Sequence, residues 1–357
     1  MADVLLKILY ILLALLVFGV LVLIHEGGHF LFARLFKVSL EEFSIGMGPK
    51  LLSRKSKKSG IVYSLRLLPI GGFVAMVGED EESEDENAFC NKPVWQRMII
   101  TAAGATVNLL AGFIAMMILV ACTSTFGSTT VAEFIPKDVF VEQGYEYFSS
   151  EEAGLREGDT IVAVNGEKVR ILEELQYELV HSGDKPLTLT VDRDGERLTL
   201  ENVSVPRIEE QGVLFGMRDF FVNAQPKTLT TVIQHGFYRS TSTVKMIWES
   251  LADLVRGRYG INAVSGPVGV TQTLAEAAKG GPDQFIYLAI IISINLGIMN
   301  LLPIPALDGG RILFQLIELV FRRPVPRKVE GYVHFAGIIL LFAFMAFITL
   351  KDLVGLF

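Results

Sequence analysis

Four apolar blocks govern what this chain can fold into: residues 4–36, 98–122, 285–320 and 333–350. Each is long enough to cross a hydrocarbon core, which takes about 20 mostly apolar residues. No water is present there to satisfy backbone amides and carbonyls, so spanning blocks of this kind form helices. The expected fold is therefore a multi-pass α-helical membrane protein with four transmembrane helices. Hydrophobic residues make up 51% of the 357 positions, and the excess is concentrated in these blocks. The stretch between the second and third has ordinary soluble composition and reads as one extramembrane module followed by a linker. The first block carries Lys7 and resembles a signal peptide in outline. Its apolar run is too long and no small-residue cleavage site follows, so it reads as a retained span.

Charge gives an orientation. Lys37, Lys50, Arg54, Lys55, Lys57 and Lys58 follow the first span, and Arg322, Arg323, Arg327 and Lys328 separate the third from the fourth. The positive-inside rule puts both loops in the cytoplasm, with the termini and the polar insert on the other side. Spans one and three then run in the same direction. His25 lies 12 residues before Lys37 and Asp308 lies 14 before Arg322, which sets both at a similar depth towards the cytoplasmic side. A net charge of −7, with no basic stripe carrying interleaved aromatics, argues against a nucleic-acid partner. Cys90 and Cys122 lie on either side of the second span and lack the paired spacing of a disulfide framework or thiolate metal site.

Ionisable groups are costly in hydrocarbon and mark function when present. The first span nevertheless contains "HEGGH" at 25–29. On a helix, residues four apart share a face, so His25 and His29 can bind one Zn²⁺ together, and Glu26 beside them can act on water as a general base. A chance match to H-E-x-x-H arises on the order of once in several hundred such chains, and this one sits inside a span. A catalytic zinc takes three protein ligands and an open position. His181 and His235 fall in and just after the polar insert, and His334 opens the fourth span. Asp308, in "NLLPIPALDGGR", is the acidic group near the core of span three. Prolines before it and glycines after it break the helix there, which membrane proteins tolerate where backbone lines a cavity or is buried in protein. An aspartate capping a restarted helix is the plainer reading; the depth match with His25 favours a ligand.

These residues resemble the site-2 protease family, and more narrowly the bacterial zinc metalloproteases of regulated intramembrane proteolysis, the RseP/RasP type with one PDZ domain. The resemblance rests on "HEGGH", "LDGG" and a PDZ-like insert, with "PIGGFVAMVGE", "NKPVWQRMIITAAGATVN", "SGPVGV" and "NLGIMNLLPIPALDGG" along nearly the whole chain. It implies an intramembrane endopeptidase in the bacterial inner membrane that cleaves single-span substrates such as anti-sigma factors or remnant signal peptides. One Zn²⁺ per chain would be held by His25, His29 and Asp308, with Glu26 as catalytic acid/base. Asn300 would help position the substrate backbone, and Pro303 and Pro305 would shape the strand-like stretch beside it. In the second span "AGATVN" departs from the family's "AGPxxN" by lacking the proline.

Residues 61–78 alternate β-formers around "PIGG" and read as a hairpin turning at Gly71 and Gly72. They resemble the family's re-entrant β-hairpin, whose edge could pair with an extended substrate strand; Gly71 and Gly72 are thus substrate-binding candidates. The acidic run 78–87 reads as a solvated linker. Residues 130–206 resemble a circularly permuted PDZ domain, serving either as a peptide-binding groove or as a size filter. Between 227 and 259, Val232, Phe237, Val244, Ile247, Leu251 and Leu254 recur at near-helical spacing. That amphipathic helix, within a 207–284 linker, is expected to bury its apolar stripe against protein or the membrane surface. A silent PDZ-bearing scaffold and a metal transporter are the rival classes. The intact Glu26 speaks against the first, and a single three-ligand cluster against the second.

Overall fold

The computed structural model describes residues 2–79, 81–182, 184–210, 213–258, 260 and 264–354, so Asp80 of the acidic run lies outside the described residues. Its contacts divide the chain into two units, one of Met1–Ala115 with Val264–Phe357 and the other of Met116–Ala263. The boundary falls inside α2 (Val94–Cys122).

The first unit holds α1 (Ala2–Leu35), β1 (Leu40–Lys55), β2 (Val62–Met76) and most of α2, then α6 (Pro267–Gly280), α7 (Pro282–Leu301), α8 (Asp308–Phe321) and α9 (Arg327–Val354). Among the described residues four helical stretches are long and apolar enough to cross a membrane: Leu9–Leu35, Val94–Cys122, Pro282–Leu301 and Arg327–Val354. The third apolar block is not one span over 285–320, because α7 ends at Leu301 and α8 begins at Asp308. Pro303 and Pro305 lack amide hydrogens and push their preceding residues out of helical geometry. Ala306 then turns with φ of 79°. Gly309 and Gly310 leave space for this link to lie on the first turn of α8. A Cβ on them would stand 2.1 Å from the Leu302 carbonyl oxygen and 2.5 Å from that of Ile304.

Small residues bring the helices of this unit together, as is usual where lipid supplies no hydrophobic drive between them. A Cβ at Gly28 would lie 2.6 Å from the Ala103 carbonyl oxygen, so α1 and α2 meet backbone to backbone. A Cβ at Gly297 of α7 would lie 2.9 Å from the Ala105 carbonyl oxygen of α2. Polar ties reinforce the contacts: Ser293 Oγ donates to the Asn108 carbonyl at 3.0 Å, Gln315 Nε2 to Thr101 Oγ1 at 3.1 Å, and Arg97 pairs with Glu318 at 2.7 Å.

The hairpin is larger than expected and its turn lies elsewhere. β1 and β2 pair with each other, and residues 56–61 connect them. Gly71 and Gly72 lie inside β2. Glu42 pairs with both Val62 and Ala75, and Ile45 with both Leu65 and Gly72, while Leu52 also faces Leu65. Each long strand is thus folded on itself, and four runs lie side by side in the order 72–76, 40–47, 62–68 and 50–55. Positive φ at Gly46, Gly48 and Gly71 permits the folds. The glycines of "PIGG" therefore bend a strand; they do not reverse the chain between two.

The second unit is built on a sheet of order β10-β3-β4-β6-β7, with β5 beside β4. Its strands are β3 (Phe126–Phe134), β4 (Thr160–Val164), β5 (Glu167–Lys168), β6 (Leu187–Arg193), β7 (Glu196–Val203) and β10 (Phe220–Gln225). Short α3 (Lys137–Glu142) and a two-stranded ribbon, β8 (Arg207–Glu210) with β9 (Val213–Gly216), complete the connections. Period-two burial along β6 (Leu187, Leu189 and Val191 inward) joins Leu175 and Leu179 of α4 (Leu172–Ser182) and Phe220 of β10 in one core. Asp159 heads β4 and is clamped by Arg193 through two contacts of 2.6 and 2.7 Å.

α5 (Leu229–Val255) packs in this unit with mainly polar residues inward, and of the expected apolar stripe protein covers Ile247 but leaves Phe237, Val244 and Leu254 open, as the membrane-surface alternative requires. Its buried positions are Thr231, His235, Gly236, Ser240, Thr243, Ile247 and Asp253, whereas Phe237, Val244 and Leu254 are exposed. The reason lies in partners on α4, on β3 and β10, and one turn along α5 itself. Glu178 and Glu249 engage Lys245, and Glu174 accepts from Ser242. Asp253 pairs with His181, and His235 bonds Gln225 while stacking on Phe126.

Candidate metal centre

In α1, His25 and His29 are one helical turn apart and both buried. Asp308 reaches them from the first residue of α8. Its Oδ2 lies 3.2 Å from His25 Nε2 and 3.3 Å from His29 Nε2, and the two Nε2 atoms are 3.2 Å apart. Among the described residues this is the one group of three such side chains able to share an ion. The triangle has the right size: bonds of 2.0–2.1 Å in a tetrahedral zinc site give ligand edges of about 3.3–3.4 Å. Its chemistry also fits. His29 Nδ1 donates to the Ile100 carbonyl at 2.8 Å, which leaves a lone pair on Nε2. Asp308 Oδ2 is buried without a hydrogen-bond partner. Acceptor atoms converging this closely in a buried place call for a cation among them.

Two residues that the sequence reading passed over support the triangle. A Cβ at Gly104 of α2 would lie 2.3 Å from His29 Nε2, so only glycine admits the imidazole there. Asn108, fully buried in the same helix, places its amide 3.4 Å from His25 Nδ1 and leaves its own Oδ1 unpartnered. Turning that amide over would put the oxygen on His25 Nδ1–H, the outer-shell acceptor that a metal-binding imidazole requires. A polar side chain inside an apolar span was the signal available for Asn108.

Glu26 sits beside the triangle, and Gly72 of the 72–76 run lies over it. A Cβ built there would meet Glu26 Cγ at 3.3 Å and the Ser44 carbonyl oxygen at 2.8 Å. The Val74 amide is a hydrogen-bond neighbour of the Glu26 carboxylate. Gly71 is one residue further from the centre, against Met47. Asn300 is in the last turn of α7 and half-buried, Pro303 is exposed and Pro305 half-buried in the link before Asp308. The remaining histidines do other work: His181 pairs with Asp253, His235 bonds Gln225, and His334 bonds the Ala306 amide.

The model of peptidase family M50 matches residues 13–344. The chain belongs to peptidase family M50. A Clostridium perfringens protein named as a candidate zinc metalloprotease is 33% identical over 347 residues, covering 97% of this chain and 99% of that one. The regulator of sigma-W protease RasP of Bacillus subtilis is 30% identical, covering 96% and 97%. The zinc metalloprotease RasP of Bacillus licheniformis is 29% identical, covering 96% and 98%. As an M50 peptidase of site-2 type the chain is a zinc metalloprotease. Its four long apolar helices make it an integral membrane protein.

Proposed function

We propose that this M50 peptidase cleaves transmembrane segments of single-span proteins, with His25, His29 and Asp308 as zinc ligands and Glu26 as general base. The observation that carries the reading is the triangle of donor atoms, 3.2–3.3 Å on each side, next to a carboxylate on a membrane-spanning helix. Zinc held there would polarise the scissile carbonyl and acidify water. Glu26 takes the proton of the attacking water and returns it to the leaving amine. A helical peptide bond is shielded, so the substrate must be extended first. The 72–76 run supports that need: among the described residues it pairs on one side only, with 40–47, and it carries Gly72 against Glu26. A substrate strand added to its open side would lie beside the base. Anti-sigma factors and remnant signal peptides are the substrate classes proposed, and the basic loops favour an active site towards the cytoplasmic side of the bacterial inner membrane. Glu26→Gln should retain zinc and lose cleavage of a reporter transmembrane substrate; unchanged turnover would remove Glu26 from the mechanism.

For the insert we favour the size filter over the peptide groove, taking the sheet as PDZ-like. A peptide would have to extend β3 along the flank of α4, and that edge is taken by β10, antiparallel from Phe220↔Phe134 to Gln225↔Phe126. Phe220 is in the core and Asp219 accepts from Ser150 N and Oγ at 2.7 Å each, so the strand is anchored. Directly paired residues of antiparallel strands stand about 4.5–5.5 Å apart, within disulfide reach. A disulfide between Glu133→Cys and Phe221→Cys, in a chain with Cys90 and Cys122 replaced by serine, should leave substrate cleavage intact. Loss of cleavage on oxidation, restored by reduction, would show that the edge must open.

A further inference from the structure

α9 holds to its unit through two short stretches. From 338 to 347 every residue is exposed. Towards its C-terminal end Ile348 is buried, and Asp352 accepts the amides of Gly266 and Gly269 at 2.9 Å each. Near its start stand His334 and Gly337, and both face the link between α7 and α8. A Cβ at Gly337 would lie 2.5 Å from Pro305 Cβ, so the helix backbone rests on the proline. His334 Nδ1 accepts the Ala306 amide at 3.1 Å, and its ring is 5.6 Å from that of Phe314. Glu330 Oε1, one turn earlier, is 4.0 Å from Nε2 and favours the proton on that nitrogen.

Ala306 is the residue that needs holding. Its φ of 79° lies in the left-handed region that side chains disfavour. Such a conformation persists only where the surroundings over-determine it. Two residues later the chain delivers Asp308 to the histidine pair. We infer that His334 is a positioning residue of the metal centre: by accepting the Ala306 amide it fixes the link that aims Asp308. The inference rests on Asp308 being a zinc ligand. It requires an acceptor at the Nδ1 position, and it gives His334 neither a ligand's nor a base's role.

Asparagine at 334 offers Oδ1 in place of Nδ1. Phenylalanine keeps the ring and its contact with Phe314 but has no acceptor. The test is zinc affinity of the purified full chain in detergent, measured by competition with a chelator, so that no turnover is read. Changing groups that orient a metal ligand typically weakens metal binding by about 10–100-fold, and His334→Phe should fall in that range while His334→Asn stays close to the parent. His334→Leu supplies a second acceptor-free variant should the first not fold. Parental affinity in the acceptor-free variants, or an asparagine variant as weak as they are, would overturn the inference. Asp308→Ala separates the two readings. If it keeps full affinity, the ligand assignment itself fails; if it loses zinc while His334→Phe does not, only the role of His334 falls.

Discussion

Gly27 and Gly28 are neighbours in one motif and meet opposite surroundings. A Cβ at Gly27 would find nothing within 4 Å, whereas one at Gly28 would run into the Ala103–Gly104 backbone. Gly27→Ala should therefore keep zinc and gain up to about 1 kcal/mol of helix stability. Gly28→Ala should force α1 from α2, lower zinc content and reduce thermal stability in detergent; equal stability of the two variants would show that the helices do not meet at Gly28. The same contrast shows how far single residues could be read from sequence. His25, Glu26, His29 and Asp308 announce themselves because charged or metal-binding groups are out of place in an apolar span. Gly104 carries no such mark, and Asn108 and His334 are polar groups whose place shows without their part. Their parts are set by which helix faces which, and local spacing does not encode that.

At the scale of elements, the Asp159–Arg193 clamp joins the head of β4 to the end of β6. Burial opposes ionisation of Asp159, but the Arg193 guanidinium and the Arg156 amide outweigh it and hold the carboxyl below its usual range. The folded insert thus binds this proton more weakly than the unfolded chain. The stabilisation is complete above the unfolded value of about 4 and is lost as pH falls towards the folded one. Arg193→Ala, which leaves Asp159 with the Arg156 amide alone, should destabilise the insert at neutral pH. It should also flatten the acid side of its stability profile, as followed by denaturant unfolding at several pH values. Elements were legible where composition decides them, as in the long apolar blocks that became α1, α2 and α9. The turn of the β1–β2 hairpin was not, because glycine signals a positive φ without saying whether the chain reverses or merely bends, and Gly71 bends. Nor was the packed side of α5. Its apolar period left protein and membrane surface both open, and the carboxylates of Glu174 and Glu178, remote in sequence, decide which side meets protein by drawing Lys245 and Ser242 inward.

For the whole molecule, the apolar blocks dictated a membrane protein, and the break at Pro303 and Pro305 was the one place where block length misled. Single cysteines placed in 50–58 and 322–328 of an otherwise cysteine-free chain should be labelled from one side of sealed membrane vesicles, and cysteines in 140–200 from the other. Labelling of all three from the same side would refute the proposed topology. The ligand set also has a history in time. Asp308 joins the growing chain 279 residues after His29, which at about 5–20 residues per second is a delay of roughly 15–55 seconds. During that interval the second span and the insert are made while Asp308 is still missing from the proposed ligand set. With the ligand set proposed above, the metal centre therefore stays one ligand short beside its own nascent helices until the segment after α7 has been made.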